Sequence, residues 1–155
     1  MTYMLLYKER DTMVKETKQR GSLEYLHDGV KSRYAEWFDS LADVRGKAKV
    51  TKAVHQMENG NFSNCKGLEK GGGLQECRID FGPGYRIYFS LYDDVVIMLF
   101  GGSDKDDQQK IIDQCKIDHK KFLEHKKAEK AKQEGKARPA SASTKKKSKK
   151  SKKGK

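Results

Sequence analysis

Between Glu76 and Tyr92 hydrophobic and polar residues alternate: Cys77, Ile79 and Phe81 interleave with Glu76, Arg78 and Asp80, and Tyr85, Ile87, Phe89 and Leu91 interleave with Arg86, Tyr88, Ser90 and Tyr92. Successive strand side chains point to opposite faces, so each segment predicts a strand with one apolar and one polar face. Gly82-Pro83-Gly84 between them supplies the φ freedom and the preset φ of a tight reversal, which predicts an antiparallel hairpin. Asp93-Asp94 reads as the next turn. Val95 to Phe100 is apolar without alternation, as in a strand covered on both faces. Gly101-Gly102 ends that run, and Ser103 followed by Asp106 resembles a helix start.

The rest of the chain changes period. Ser22 to Leu26 suits a short first strand closed by Asp28-Gly29. From Val30, Tyr34, Trp37, Phe38 and Leu41 recur at helical spacing. A second helix is expected behind Asp43 as N-cap, with Val50, Val54 and Met57 as its stripe and Asn59-Gly60-Asn61 as its stop. A short strand is expected near Cys65 to Glu69. Gly71-Gly72-Gly73 precedes a strand rather than a helix, which suits a connection better than a phosphate cradle. A last helix from about Asp104 carries Ile111, Ile112, Cys115, His119, Phe122 and Leu123 on one side. After Leu123 the stripe is gone. The predicted fold class is α+β, with two N-terminal helices packed on a small antiparallel sheet and a C-terminal helix.

Charge divides the chain. Residues 126–155 hold thirteen lysines and one arginine against two glutamates, which leaves twenty basic and twenty acidic residues in 1–125 of the 34 and 22 overall. The net charge of +12 therefore belongs to the tail, a Lys/Ser-rich stretch too polar to bury a core and expected to be disordered. Such a tail attracts polyanions without sequence preference, whereas the neutral body must cluster its charges to do so. Cys65, Cys77 and Cys115 are odd in number and match no metal spacing, which suits a reducing compartment, and two of them fall at core positions. Met4-Leu5-Leu6 is too short for a signal or membrane segment. The expectation is a cytoplasmic protein with no metal and no cofactor.

On the polar face of the hairpin, Glu76, Arg78, Arg86 and Tyr88 fall within cross-strand or diagonal reach. Read alone, the charged three suit a solvated ion-pair ladder. None of His27, His55, His119 and His125 lies in this stretch, so surface or packing roles suit them better.

Glu-x-Arg-Ile-x-Phe-Gly-Pro-Gly-Tyr-Arg-Ile-Tyr-Phe, then an apolar strand, Gly-Gly-x-x-Lys and Gln108-Gln109, resembles the RelE/ParE superfamily of toxins from type II toxin–antitoxin modules, in its HigB-like "addiction module killer" branch. The likeness extends upstream through Glu24-Tyr25-Leu26, Asp28-Gly29, Trp37-Phe38, Leu41 and Gly60-Asn61. It spans about residues 22–125, leaving 1–21 as an extension or a misassigned start, with Met13 as an alternative initiator, and 126–155 as the tail. Two features depart from the family: Glu-Cys in place of the more usual Glu-Leu before Arg78, and the Lys-rich tail.

The resemblance implies a RelE/ParE-like fold and an endoribonuclease that cuts messenger RNA on the ribosome, with the RNA 2′-hydroxyl as nucleophile. It implies a cognate antitoxin, often of helix-turn-helix type, through which alone operator DNA would be bound. Its site residues map to Arg86 for phosphate stabilisation, Arg78 as a second cation, Lys105 as a third, Glu76 as base or arginine holder, and Tyr88 as an aid to proton transfer. Two alternatives stay open: the same fold acting on a protein target such as DNA gyrase, and a non-catalytic nucleic-acid-binding protein. On this reading Arg86→Ala removes toxicity while leaving fold and antitoxin binding largely intact.

Overall fold

The computed structural model describes residues 19–137. In chain order the elements are β1 (Gly21–Glu24), α1 (Arg33–Ser40), α2 (Val44–Glu58), β2 (Cys65–Gly67), β3 (Gln75–Ile79), β4 (Tyr85–Tyr92), β5 (Val96–Ser103) and α3 (Gln108–Ala137). The strands form one sheet in the order β1-β5-β4-β3-β2. Strands β2 to β5 are antiparallel neighbours, while β1 runs parallel to β5 with Leu23 opposite Met98.

This corrects the expected fold class of two N-terminal helices on a small antiparallel sheet. The first strand expected near Ser22 to Leu26 is present as β1 but joins the sheet in parallel, so the sheet is five-stranded and mixed. The reason is topological. The short edge strand β1 is largely exposed, and its partner lies far along the chain, so no local alternation announces a parallel pairing.

The local signals otherwise act where their chemistry places them. Ser32 caps α1 by accepting from the Ala35 N–H at 3.0 Å, and Asp43 caps α2 by accepting from Arg45 at 2.9 Å. Gly60, just past the Asn59 cap, has φ +85°. Asp93 and Asp94, with φ of 51° and 57°, turn β4 into β5. Arg20 clamps that turn through the Asp94 carbonyl and carboxylate, at 3.1 and 2.9 Å, so the fold already includes a residue of the expected N-terminal extension. Positions 1–18 of that extension, with Met13, and positions 138–155 of the tail lie outside the described residues.

Two cores flank the sheet. On one face Tyr34 of α1 and Val50, Ala53, Val54 and Met57 of α2 cover Cys77, Ile79, Tyr85, Ile87, Phe89, Ile97 and Leu99. On the other, Ile112, Cys115 and Phe122 of α3 pack with Leu74, Tyr88, Met98 and Phe100. The glycine pair lies inside β5 rather than at its end, because both helical layers approach the strand there. A Cβ on Gly102 would come 2.0 Å from the Trp37 ring, and one on Gly101 would come 3.0 Å from Cys115 Sγ. Ser103, expected at a helix start, is a buried strand residue instead. Asp104 then takes the N–H groups of Asp106 and Asp107 before α3 begins at Gln108.

The chain divides into two units at Phe122/Leu123. In the second, helix continues to Ala137 through part of the stretch expected to be disordered. Alanine, lysine, glutamate and glutamine keep that segment helical without an apolar stripe. Glu129 pairs there with Lys126 at 3.1 Å and His125 at 3.5 Å. Among the described residues no helix is long and apolar enough to cross a membrane.

Candidate functional site

Where α3 starts late, the end of the sheet at the β3–β4 hairpin is left open. There a cleft of about 390 Å³ is lined by residues 78–86 and by Lys105. Gly82 and Gly84, with φ of 56° and 83°, bend the hairpin around it. Arg78, Arg86 and Lys105, the three cations expected from the sequence, therefore line one cavity.

The register makes this cluster electrostatically demanding. Arg78 and Arg86 are directly opposite on β3 and β4, a like-charge placement that is unfavourable without an anion. Glu76 supplies one. Its side chain is 1% exposed, its Oε1 accepts from Arg86 Nη1 at 2.5 Å, and the same oxygen stands 3.8 Å from Arg78 Nε. The two arginines differ accordingly. Arg86, 14% exposed, is locked to the buried carboxylate, whereas Arg78, 51% exposed, is held loosely and reaches solvent. One carboxylate between two guanidiniums leaves positive charge for a further anion, and Lys105 adds to it.

Tyr88 sits elsewhere than expected. It keeps its place opposite Glu76, but its side chain is fully buried under α3 and it does not line the cleft. Its hydroxyl bonds Ser103 Oγ at 2.9 Å, and burial pushes its pKa up to about 12. The polar face read from alternation is open only as far as Arg86, because α3 covers it beyond. Glu76 likewise lies beneath the arginines rather than on the cleft wall. Gln109, also part of the motif, bonds Asp113 along its own helix at 2.9 Å.

Two features escaped the sequence reading. Asp80 is the carboxylate on the cleft wall, and its position two residues after Arg78 on the same strand face was the available signal. Phe81 forms another part of the wall, with Lys49 of α2 placing its Nζ 5.7 Å from the ring centroid. No sequence pattern brings that helix to the hairpin tip.

Among the described residues no group of three His, Cys, Asp or Glu side chains is placed to hold a metal ion. His119 is buried against Phe100, with ring centroids 5.3 Å apart, and burial lowers its pKa despite a hydrogen bond with the Gly71 backbone. On the same helix Asp118, 1% exposed, accepts from Arg33 Nε at 2.8 Å. Both groups tie elements together away from the cleft.

No protein-family model matches the chain. Over 84 residues it is 36% identical to an uncharacterized protein of Haemophilus influenzae, a match that takes in 54% of this chain and 83% of that protein. The chain belongs to the family of that Haemophilus protein. In this family member the cleft offers two arginines, a lysine, a carboxylate and an aromatic wall, a set suited to a phosphate bearing an attached base.

Proposed function

We propose that the protein is a toxin of a type II toxin–antitoxin module and acts as a ribosome-dependent endoribonuclease on messenger RNA. The observation that supports this reading is the meeting of Arg78, Arg86 and Lys105 around one cleft, with a single buried carboxylate between the arginines. A protein working only by protein contacts has no evident use for such a cluster.

In this reading the scissile phosphate enters the cleft and the RNA 2′-hydroxyl attacks it. Negative charge grows on the phosphoryl oxygens, and Arg86, preorganised by Glu76, faces them with its orientation already fixed. Arg78 binds the phosphate from solvent and Lys105 stabilises the leaving 5′-oxygen. Asp80, the carboxylate on the wall, takes the 2′-hydroxyl proton. Glu76 positions Arg86 rather than acting as base, and Tyr88 supports the sheet from below. The protein works in the cytoplasm and is neutralised by a cognate antitoxin, through which operator DNA is bound.

Induction of the full chain in a bacterium, with growth followed and messenger 5′ ends mapped, tests this reading. Arrest with new ends confined to translated messages is expected. Arrest without new ends would move the assignment to a protein target such as DNA gyrase, and normal growth would reject the toxin reading.

A further inference from the structure

Cys65 and Cys77 face each other across β2 and β3 as register partners. The ladder around them fixes the kind of pair they form. The Arg78 N–H donates to the Asn64 carbonyl and the Leu68 N–H to the Leu74 carbonyl, each at 3.0 Å. Hydrogen-bonded and non-hydrogen-bonded pairs alternate along an antiparallel ladder, so Lys66 opposite Glu76 is hydrogen-bonded and Cys65 opposite Cys77 is not. At such a position the Cα atoms lie about 4.5 Å apart with side chains close, inside the range of about 4.4–6.8 Å that a disulfide spans.

We propose that Cys65 and Cys77 form an oxidisable dithiol that hydrogen peroxide converts to a cross-strand disulfide, fastening edge strand β2 to the strand that carries Glu76 and Arg78. Both thiols are free in the structure. Cys65 is half-buried at the sheet edge, within reach of a small oxidant, while Cys77 is buried beside it. The contact between the two sulfurs lowers the Cys77 pKa and raises that of Cys65, the directions expected when the Cys65 S–H donates toward the Cys77 sulfur. One thiolate displaces hydroxide from peroxide as the O–O bond breaks, giving a sulfenic acid. The second sulfur attacks it, the S–S bond forms, and water leaves. Two thiols thus lose two electrons and two protons, and one peroxide becomes two waters. Cys115 is excluded by topology: it packs on α3 against the opposite face of the sheet.

This inference is independent of the ribonuclease reading. Its test is peroxide treatment of the purified, reduced full-length chain, then alkylation after unfolding and peptide mass spectrometry, on wild type and on Cys65→Ser, Cys77→Ser and Cys115→Ser. The expected product is a chain two hydrogens lighter with Cys65 linked to Cys77. It should form equally in Cys115→Ser and be absent from the other two variants, with thermal unfolding moved to higher temperature. Linkage through Cys115, linkage between two chains, oxidation of Cys65 that leaves Cys77 alkylatable, or unreacted thiols would each overturn the proposal.

Discussion

The residue that decides the character of the site is Glu76, a carboxylate taken out of water with its charge answered by Arg86. Arg86 is therefore structural as well as functional, and the expectation that Arg86→Ala leaves the fold intact is revised. That variant strands a buried anion, and equilibrium urea unfolding should show a loss of about 3–5 kcal/mol. Replacing both partners, Glu76→Gln with Arg86→Gln, should cost distinctly less, and a double loss equal to the sum of the singles would show that the pair is not coupled. His119 supplies a pH dependence. Burial lowers its folded pKa below its ordinary value of about 6.5, so the unfolded chain binds a proton that the folded chain resists. Its contribution is thus fully present above about pH 6.5 and declines as pH falls toward the folded value. The urea midpoint of wild type should fall from pH 8 to pH 5.5 more than that of His119→Gln, and parallel declines would contradict the assignment.

Among the elements, β5 carries the most consequence because helices press on both of its sides. Gly102 lies under Trp37 and Gly101 under Cys115, at closest Cβ approaches of 2.0 and 3.0 Å. Gly102→Ala should therefore lower the thermal midpoint more than Gly101→Ala, by overpacking of at least about 1–3 kcal/mol, and Trp37→Leu should recover part of it. An order of Gly101→Ala below Gly102→Ala would show that Trp37 yields more easily than this packing implies. Legibility in the sequence followed the range of the interaction. The hairpin, the caps Asp43 and Asn59 and the α2 stripe are local, and their residues announce them. The parallel pairing of β1 and the burial of Tyr88 depend on segments far along the chain, Val96–Ser103 and α3, which alternation within β1 or β4 does not register. The glycine pair was legible as a break in side-chain size, but its cause, close helix approach on two sides, was not.

At the scale of the whole molecule, charge and cover divide the work. The body is charge-neutral and brings its cations together where α3 does not cover the sheet, so the late helix start at Gln108 leaves the cleft open. The three cations named from the motif stretch line one cavity because they share one strand pair and the loop after it. The resemblance put Arg86 first, Arg78 second and Lys105 third, but only burial shows that Arg86 is fixed and Arg78 free to reach solvent. The cleanest probes of function are therefore the exposed cations, whose removal leaves no buried charge behind. The decisive measurement is single-turnover cleavage of messenger on programmed ribosomes by the purified full-length chain, comparing wild type with Arg78→Ala and Lys105→Ala. Each variant should unfold at the wild-type midpoint and cut about 10²–10³-fold more slowly. Unchanged cleavage by both would contradict the role given to the cleft.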